Sequence, residues 1–370
     1  MHIHTLTRAV SIAALSLAWA GNASSADLEK DQVNCRKAMQ MKVYAQVNRA
    51  ALFANTGSTD ETFFVDNDNS STRFGFKGKA NINCNVAVGA KLEVETESNN
   101  TANISFRQSG TAGFALKERH FDTWISHSNL GKLSLGQGDT ASNGTTEVDL
   151  SSTSVISYSG MVDFMGGLEF ATSTGAISMV EIKDVMSQYD GNSRQDRARY
   201  DTPVFAGFYA STSVDDDNQW DVAGRYSRKI GDAKFAAAAH YLDAKGTSFG
   251  GQHGGSASIL FPIGLNVTAA YAARNFRGRK DGKYYYVKAG FITHPFEDLG
   301  LGKTAFAIDY GYNKNHAVTG DKAQGYGAYV VQGLIDGVEA YAGVRQHTLK
   351  RSGTSFKNVF GAMTGLRIKM

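Results

Sequence analysis

Apolar and polar residues alternate along many short stretches of this chain, and residues 85–97 show the alternation most clearly. The apolar face of this stretch carries every second residue: Val86, Val88, Ala90, Leu92 and Val94. The other face is small or polar: Ala87, Gly89, Lys91, Glu93 and Glu95. A period of two residues predicts a β-strand whose faces meet different surroundings. One such strand fits a soluble sandwich as well as a membrane barrel, so the number and spacing of strands must decide.

Comparable stretches occur through the rest of the chain, and we predict sixteen strands. They cover residues 41–54, 70–79, 85–97, 116–127, 131–138, 196–202, 204–213, 219–230, 232–243, 254–262, 264–274, 283–293, 303–312, 324–333, 337–348 and 355–370. Most have about the 9 to 11 residues that a tilted strand needs to cross a bilayer. We therefore expect an all-β fold, a sixteen-stranded antiparallel transmembrane β-barrel that occupies residues 41–370.

The links between the predicted strands largely alternate in length. Tight links such as residues 129–131 and 262–264 fall on one side, and long links such as residues 54–70 and 98–113 fall on the other. Short periplasmic turns combined with longer external loops are typical of outer-membrane barrels. Tyrosines recur near strand ends, where an aromatic girdle would meet lipid headgroups. Both features favour the membrane barrel.

The longest interruption of the pattern covers residues 139–195. A connection of this length is rare in a compact fold and is usually functional. Its centre, residues 161–170, combines apolar side chains, two adjacent glycines and the carboxylates Asp163 and Glu169. We predict that this segment folds into the barrel as a constriction loop and narrows the channel.

Residues 1–26 have the features of a secretory signal peptide. Arg8 precedes a short apolar run, and Ser24 and Ala26 stand three and one residues before the expected cleavage site. A membrane anchor is the alternative, but the apolar run is too short to span about 30 Å of hydrocarbon. We expect residues 27–40 to form a short periplasmic segment before the first strand.

Export would bring the two cysteines, Cys35 and Cys84, into an oxidising compartment where disulfides persist. Cys35 precedes the first predicted strand, and Cys84 lies in the turn between the second and third. In an up-and-down barrel these two positions fall at the same rim. We therefore predict a Cys35–Cys84 disulfide, which requires the Cα atoms to lie within about 7 Å. Two free buried thiols are the alternative.

Composition and charge narrow the function classes. The 38 basic and 35 acidic residues leave a net charge of +3, without the basic excess of a nucleic-acid-binding protein. The 40 glycines and three prolines suit a glycine-rich β protein. The nine histidines are scattered, and no nucleophile stands at a recognisable spacing from a base. We therefore expect neither an enzyme nor a cofactor.

Two acidic stretches invite a metal-binding interpretation. Residues 66–70 begin like a calcium-binding EF-hand loop, but Ser71 replaces the glycine at the sixth position and Lys77 replaces the glutamate at the twelfth. We expect a solvated loop there and no metal site. Residues 214–218 could bind divalent cations that bridge lipopolysaccharide, and a charged loop tip is the simpler interpretation.

Three blocks of the sequence resemble Gram-negative trimeric porins. They are residues 47–82, which include the motif VDNDNSSTR, and residues 130–140 and 197–214. The resemblance implies a sixteen-stranded barrel, a homotrimer, and a third external loop folded inward to form an eyelet. It also implies an outer-membrane location among lipids and lipopolysaccharide, and insertion by the barrel-assembly machinery. Family members normally end in Phe, or sometimes Trp, which the barrel-assembly machinery recognises, whereas this chain ends in Met370. We expect this difference to affect the efficiency of assembly and not the fold.

The resemblance also assigns candidate pore residues. The basic wall of the constriction corresponds to Arg73, Lys77, Arg119, Arg197 and Arg199. The acidic loop corresponds to Asp163 and Glu169, with Glu147 and Asp149 behind them.

We expect a general porin that lets small hydrophilic solutes and ions diffuse passively, screened by size and by the field between the basic wall and the acidic loop. A substrate-selective porin is one alternative. A surface adhesin or structural barrel with a closed lumen is another.

Overall fold

The computed structural model describes residues 39–108, 113–244 and 247–370. In these ranges the chain forms twenty strands. They are β1 (Met39–Asn55), β2 (Asp60–Asp66), β3 (Arg73–Asn81), β4 (Val86–Glu97), β5 (Ala115–His127), β6 (Gly131–Asp139), β7 (Glu169–Ala171), β8 (Ile177–Glu181), β9 (Arg194–Asp201), β10 (Phe208–Asp215), β11 (Trp220–Ile230), β12 (Ala233–Asp243), β13 (Phe249–Leu260), β14 (Leu265–Phe276), β15 (Gly282–Thr293), β16 (Thr304–Lys314), β17 (Lys322–Ile335), β18 (Val338–Arg351), β19 (Thr354–Ser355) and β20 (Val359–Lys369). The short helical segments of the same ranges are Asp68–Ser70, Met161–Phe164, Ile182–Val185 and Glu297–Leu299. Among these residues, no helix combines the length and the apolar character needed to cross a membrane.

Eighteen of the strands form one antiparallel sheet, in which β2 and β3 share one position beside β1 and the two-residue β19 only extends the pairing of β18. The barrel therefore has sixteen strand positions, which confirms the predicted fold class. Each barrel strand is hydrogen-bonded to its neighbours in the chain. The ring closes where β1 pairs with β20, from Gln46 opposite Lys369 to Asn55 opposite Phe360. Closure leaves no unpaired strand edge, so the backbone of the wall is satisfied within the protein.

Side chains alternate between the two faces of the wall. On β20, Leu366 is 39% exposed on the outer face, whereas Arg367 is 7% exposed and points inward. Tyr271, Tyr285 and Tyr312 stand opposite one another on three adjacent strands of the outer face. This row lies in the half of the wall nearer the long connections, with Tyr285 and Tyr312 close to strand ends, as an aromatic girdle requires.

The connections differ in length between the two rims of the barrel. We call the rim that contains residues 82–85 the short-turn rim, and the other rim carries the long connections 98–114 and 140–193. Later links at that second rim are shorter than predicted, because β13 already begins at Phe249 and β15 at Gly282. Polar and glycine-rich residues that look like loops in the sequence therefore pair across strands and satisfy their backbone there.

The prediction of a solvated loop at residues 66–70 is wrong, because most of these residues are buried. β2 and β3 follow one another along the same edge of β1, and these residues end β2 and begin the turn between the two strands. Asn67 is fully buried, and its side-chain amide donates to the carbonyl of Val155 at 2.8 Å. The polar side chains here are satisfied by protein groups instead of water.

The predicted signal peptide, residues 1–26, lies outside the described residues, and so does nearly all of the predicted segment 27–40. Cys84 lies in the turn between β3 and β4. Cys35 is outside the described residues, so the disulfide stays a prediction.

Candidate functional site

Residues 140–193, which join β6 to β9, are called the long segment below. The first part of this segment crosses β10 to β13, where inward-facing side chains accept hydrogen bonds from its backbone. Four backbone amides of the segment donate to strand side chains at 2.8–3.0 Å: Ala141 to Ser213, Ser142 to Asp221, Val148 to Ser256 and Leu150 to Ser258. The strand side chains thus satisfy a backbone stretch that has no sheet of its own.

A buried ion pair joins the middle of the long segment to β16 and β18. Arg345 and Asp309 have no exposed side-chain surface, and Arg345 Nη2 lies 2.5 Å from Asp309 Oδ2. Arg345 also donates to the carbonyl of Met161 at 2.9 Å, and Asp309 accepts from the hydroxyl of Ser157 at 2.7 Å. These two hydrogen bonds come from the segment itself and add to those from Tyr286 and Tyr329 of the wall, so the pair is fully satisfied only while the segment is docked.

Apolar contacts between the long segment and the wall form the largest hydrophobic cluster of the described residues. The long segment contributes Val155, Ile156, Met161, Phe164, Met165, Leu168, Phe170, Ile182, Val185, Met186 and Tyr189. The wall contributes residues of β1, β15, β17, β18 and β20, among them Leu52, Tyr284, Tyr286, Tyr329, Tyr341 and Met363. The long segment is therefore packed against one side of the wall.

Another side of the wall, β3 to β5, carries charged residues. Arg119 Nε donates to Glu93 at 2.8 Å and its Nη1 pairs with Glu95, while Arg73 Nε lies 4.0 Å from Glu93. The Arg73 side chain keeps 17% of its surface exposed. A bulge in the β4–β5 register turns Arg119 inward beside His120. The structure thus brings the two predicted arginines to the same carboxylate.

The other predicted basic residues occupy different surroundings. Lys77 is exposed, and its ammonium lies 5.0 Å from the centre of the Tyr44 ring. Arg197 pairs with Asp122 at 2.7 Å and donates to the carbonyl of Asp139 at 2.9 Å.

Arg199 is also buried at the base of the long segment. It pairs with Asp201 at 2.7 Å and donates to the carbonyl of Thr140 at 2.8 Å. Arg197 and Arg199 are 7% and 8% exposed, so they hold the end of β6 and the start of the long segment and present little charge to the lumen.

Asp163 and Glu147 are largely buried on the long segment and keep a minor part of their surface exposed. The carboxylate of Asp163 accepts a hydrogen bond from the Tyr158 hydroxyl, and its backbone carbonyl accepts from the Asn69 amide at 3.2 Å. Glu147 accepts from the side-chain amide of Gln188 at 2.6 Å. Each carboxyl group has a neutral donor, and no basic side chain of the described residues forms an ion pair with it.

Glu169 and Asp149 lie deeper. Glu169 has no exposed surface, and it accepts from the Phe106 amide and from Arg107 Nε, both at 2.9 Å. Asp149 pairs with the fully buried Lys288 at 2.7 Å. Both carboxylates face protein groups, so they anchor the long segment. The sequence placed them in the acidic loop but did not indicate their partners, which come from distant parts of the chain.

The carboxyl groups near Asp163 resist ionisation. Burial, and the nearby Glu95 carboxylate, raise the pKa of Asp68 to about 6. Burial and the proximity of Asp68 raise the pKa of Asp163 well above its usual range. Burial together with Asp190 and Asp163 raises the pKa of Glu147 in the same way. At neutral pH, these three carboxyl groups therefore carry less negative charge than three fully ionised carboxylates would.

Asp68, Glu95 and Glu97 bring carboxylate oxygens within 4.8 Å of one another, a spacing that a metal ion could use. Arg119 pairs with Glu95 and Lys117 pairs with Glu97. These basic side chains supply the positive charge that a cation would otherwise bring.

Sequence reasoning assigned no role to Glu93, Tyr44 or Asn67. Glu93 accepts from the Tyr44 hydroxyl at 2.7 Å and organises the arginines of the basic wall. Glu93 lies on the polar face of the strand with the most regular alternation, and this position was the signal from which its inward direction could have been inferred. Asn67 gave none, because an asparagine in a polar run looks the same whether it is solvated or buried.

Comparisons with known proteins bear on this barrel. The family model described as Gram-negative porin matches residues 9–352. The anion-selective porin from Comamonas acidovorans is similar in structure, with a TM-score of 0.59 and 15% identity over 90% of this chain and 100% of that one. OmpF of Salmonella typhi, solved with daunomycin, gives a TM-score of 0.57 at 12% identity over 89% of this chain and 97% of that one.

The outer membrane channel DcaP of Acinetobacter baumannii gives a TM-score of 0.54 at 10% identity over 91% of this chain and 100% of that one. No curated protein sequence matches significantly. At these identities the structural likeness supports the fold, and the family follows from the match over most of the chain. The chain belongs to the Gram-negative porin family, and it is an outer-membrane β-barrel channel for passive diffusion and not an enzyme.

Proposed function

We propose that the long segment is the inward-folded constriction loop and that solutes pass between it and the charged wall of β3 to β5. One-sided packing carries this proposal. The apolar cluster joins the long segment to β1 and to the β15–β20 side, whereas Arg73, Lys77 and Lys91 keep exposed surface. A passage bounded by protein on one side and by fixed charge on the other screens solutes by size and by charge.

The charge balance across this passage favours the basic side. Arg73, Arg119 and Lys91 all lie within 4.0 Å of Glu93, and Arg119 also pairs with Glu95, so three cations face two carboxylates. Across the passage, Asp163 and Glu147 have raised pKa values because they are buried beside other carboxyl groups. We therefore propose that the electric field across the passage arises mainly from the positive charge of the basic wall.

Reversal potentials measured in a salt gradient test whether the basic wall sets the charge selectivity of the channel. Arg73→Gln should shift the channel's preference towards cations, because a positive charge leaves the passage. Arg277→Gln is the matched control, since Arg277 lies exposed in the link between β14 and β15. Screening acts over about 8 Å at physiological salt, so the shift should be largest at low ionic strength. An unchanged reversal potential in Arg73→Gln at low salt would place the passage elsewhere.

Single-channel conductance separates the broader alternatives. A general diffusion porin gives a conductance that rises with solute concentration without saturating. A substrate-selective porin saturates with one solute, and a structural barrel with a closed lumen carries no current.

We also propose that the protein is a homotrimer. Arg49 lies on the outer face of β1, 2.6 Å from Asp66, and its side chain is 46% exposed. A charged side chain on the lipid face of a barrel is destabilising near the middle of the bilayer. Apolar residues surround it on the same face, including Phe53, Phe64 and Leu366. A subunit interface at β1 and β20 would remove this charge from lipid.

Native electrophoresis in mild detergent tests this assembly, and a monomer alone would contradict it. The variant Ala51→Glu, which adds a second charge to the same outer face, should weaken the trimer.

A further inference from the structure

Three lysines form a row across the inner wall near the short-turn rim. The strand register places Lys42 of β1 opposite Lys77 of β3, and Lys77 opposite Lys91 of β4. Lys42 and Lys91 stand two residues from Tyr44 and Glu93, whose side chains meet on the inner face at 2.7 Å, so the lysines share that face. Adjacent strands are about 4.8 Å apart, which keeps the three backbones within about 10 Å.

The positive charge of this lysine row is largely uncompensated. In the described part of the chain, no carboxylate lies within 4.0 Å of Lys42 or Lys77. Lys91 lies 3.5 Å from Glu93, which already accepts from Arg119 at 2.8 Å.

The next position across the sheet lies on β5 and holds a carboxylate, but an arginine already neutralises its negative charge. Asp122 stands opposite Lys91 and is paired with Arg197 at 2.7 Å. Like charges placed directly opposite one another destabilise a sheet. The lysine row therefore opposes stability, and such arrangements are typical of functional sites.

We propose that the lysine row is a binding station for small multivalent oxyanions at the short-turn end of the pore. This inference rests on the proposed channel function. A monovalent anion engages one ammonium at a time, whereas an oxyanion with two or three charges can bridge neighbouring ammonium groups. Lys77 is oriented by the face of Tyr44 at 5.0 Å, which reduces the flexibility that binding must remove.

Block of the potassium chloride current by citrate tests the station in planar bilayers at low salt. Replacing one of the three lysines by glutamine should raise the half-blocking concentration about five-fold, the weight of one ion pair in a high-dielectric setting. The triple variant Lys42→Gln, Lys77→Gln, Lys91→Gln should raise it roughly 100-fold, because the three effects multiply. Inorganic phosphate should block more weakly than citrate, since it spans fewer ammonium groups.

Two controls make the result specific. The triple lysine-to-arginine variant keeps the charges and should retain the block, which also shows that substitutions at these sites leave a folded channel. Lys280→Gln removes an exposed lysine in the link between β14 and β15 and should change nothing.

If citrate blocked the wild type and the triple glutamine variant equally, the proposal that the lysine row binds multivalent oxyanions would be refuted. A loss of block in Arg73→Gln as large as that in the triple variant would also refute it, because the anion would then bind at the constriction. A wild-type protein that carries no current contradicts the channel itself, which is a different result from a current that citrate does not block.

Discussion

Replacing Asp309 by asparagine should release the long segment from the barrel wall. The substitution keeps the size of the side chain but removes the charge that neutralises Arg345, which lies 2.5 Å away and is fully buried. It also weakens an acceptor shared by the hydroxyls of Ser157, Tyr286 and Tyr329, at 2.7, 3.2 and 3.0 Å. In the described ranges no second carboxylate pairs with Arg345, so its charge would stay uncompensated.

The size of the effect follows from burial. Removing one partner of a buried ion pair costs about 3–5 kcal/mol. Solvent cannot screen the loss at this site, because neither side chain has exposed surface. Undocking of the long segment would expose Arg345 to water and so relieve the penalty. Since about 1.4 kcal/mol corresponds to a factor of ten, undocking should become roughly 100- to 4,000-fold more frequent.

Hydrogen exchange followed by mass spectrometry measures this opening directly. Amides of residues 155–163, which contact β16 and β18, should exchange faster in Asp309→Asn by that factor. The control Asp298→Asn makes the same chemical change at an exposed position near the short-turn rim.

A double variant isolates the charge. Asp309→Asn combined with Arg345→Met removes both charges from the buried site and should recover much of the protection, because replacing a buried pair by apolar groups is often nearly neutral. Exchange in Asp309→Asn within two-fold of the wild type would refute the conclusion that this pair holds the long segment.

Three further outcomes can be checked independently. Glu169→Gln should loosen the long segment in the exchange experiment while leaving the reversal potential unchanged, because the carboxylate is buried against an arginine. Docking should be tightest below about pH 4 and should weaken as the pH rises, since burial raises the pKa of Asp163 on the long segment well above its usual range and the docked state favours its protonated form. Asp163→Asn should flatten this dependence in exchange rates corrected for pH. Mass spectrometry of protein isolated without reductant should find Cys35 joined to Cys84, and the closed loop of 84 − 35 = 49 residues should stabilise the fold by roughly 4 kcal/mol.

The wall of the barrel could be predicted from the sequence alone. Alternation with a period of two is a local property, since successive side chains of a strand point to opposite faces whatever the rest of the chain does. The strand count, the inward direction of Arg73 and Lys77, and the alternation of Leu366 and Arg367 on β20 could therefore be predicted. The short links also made neighbours in the chain neighbours in the barrel.

The packing of distant segments sets which charged side chains are buried in ion pairs and which keep exposed surface. Arg199 and Arg73 are the same residue type on the same kind of strand face. Arg199 is buried because the carbonyl of Thr140, 59 residues earlier, lies against it, whereas Arg73 keeps 17% of its side-chain surface exposed. Glu169 likewise pairs with Arg107, 62 residues earlier in the chain. Burial by a distant segment depends on how an irregular loop packs, and that packing is set by many weak contacts that leave no periodic signal in the sequence.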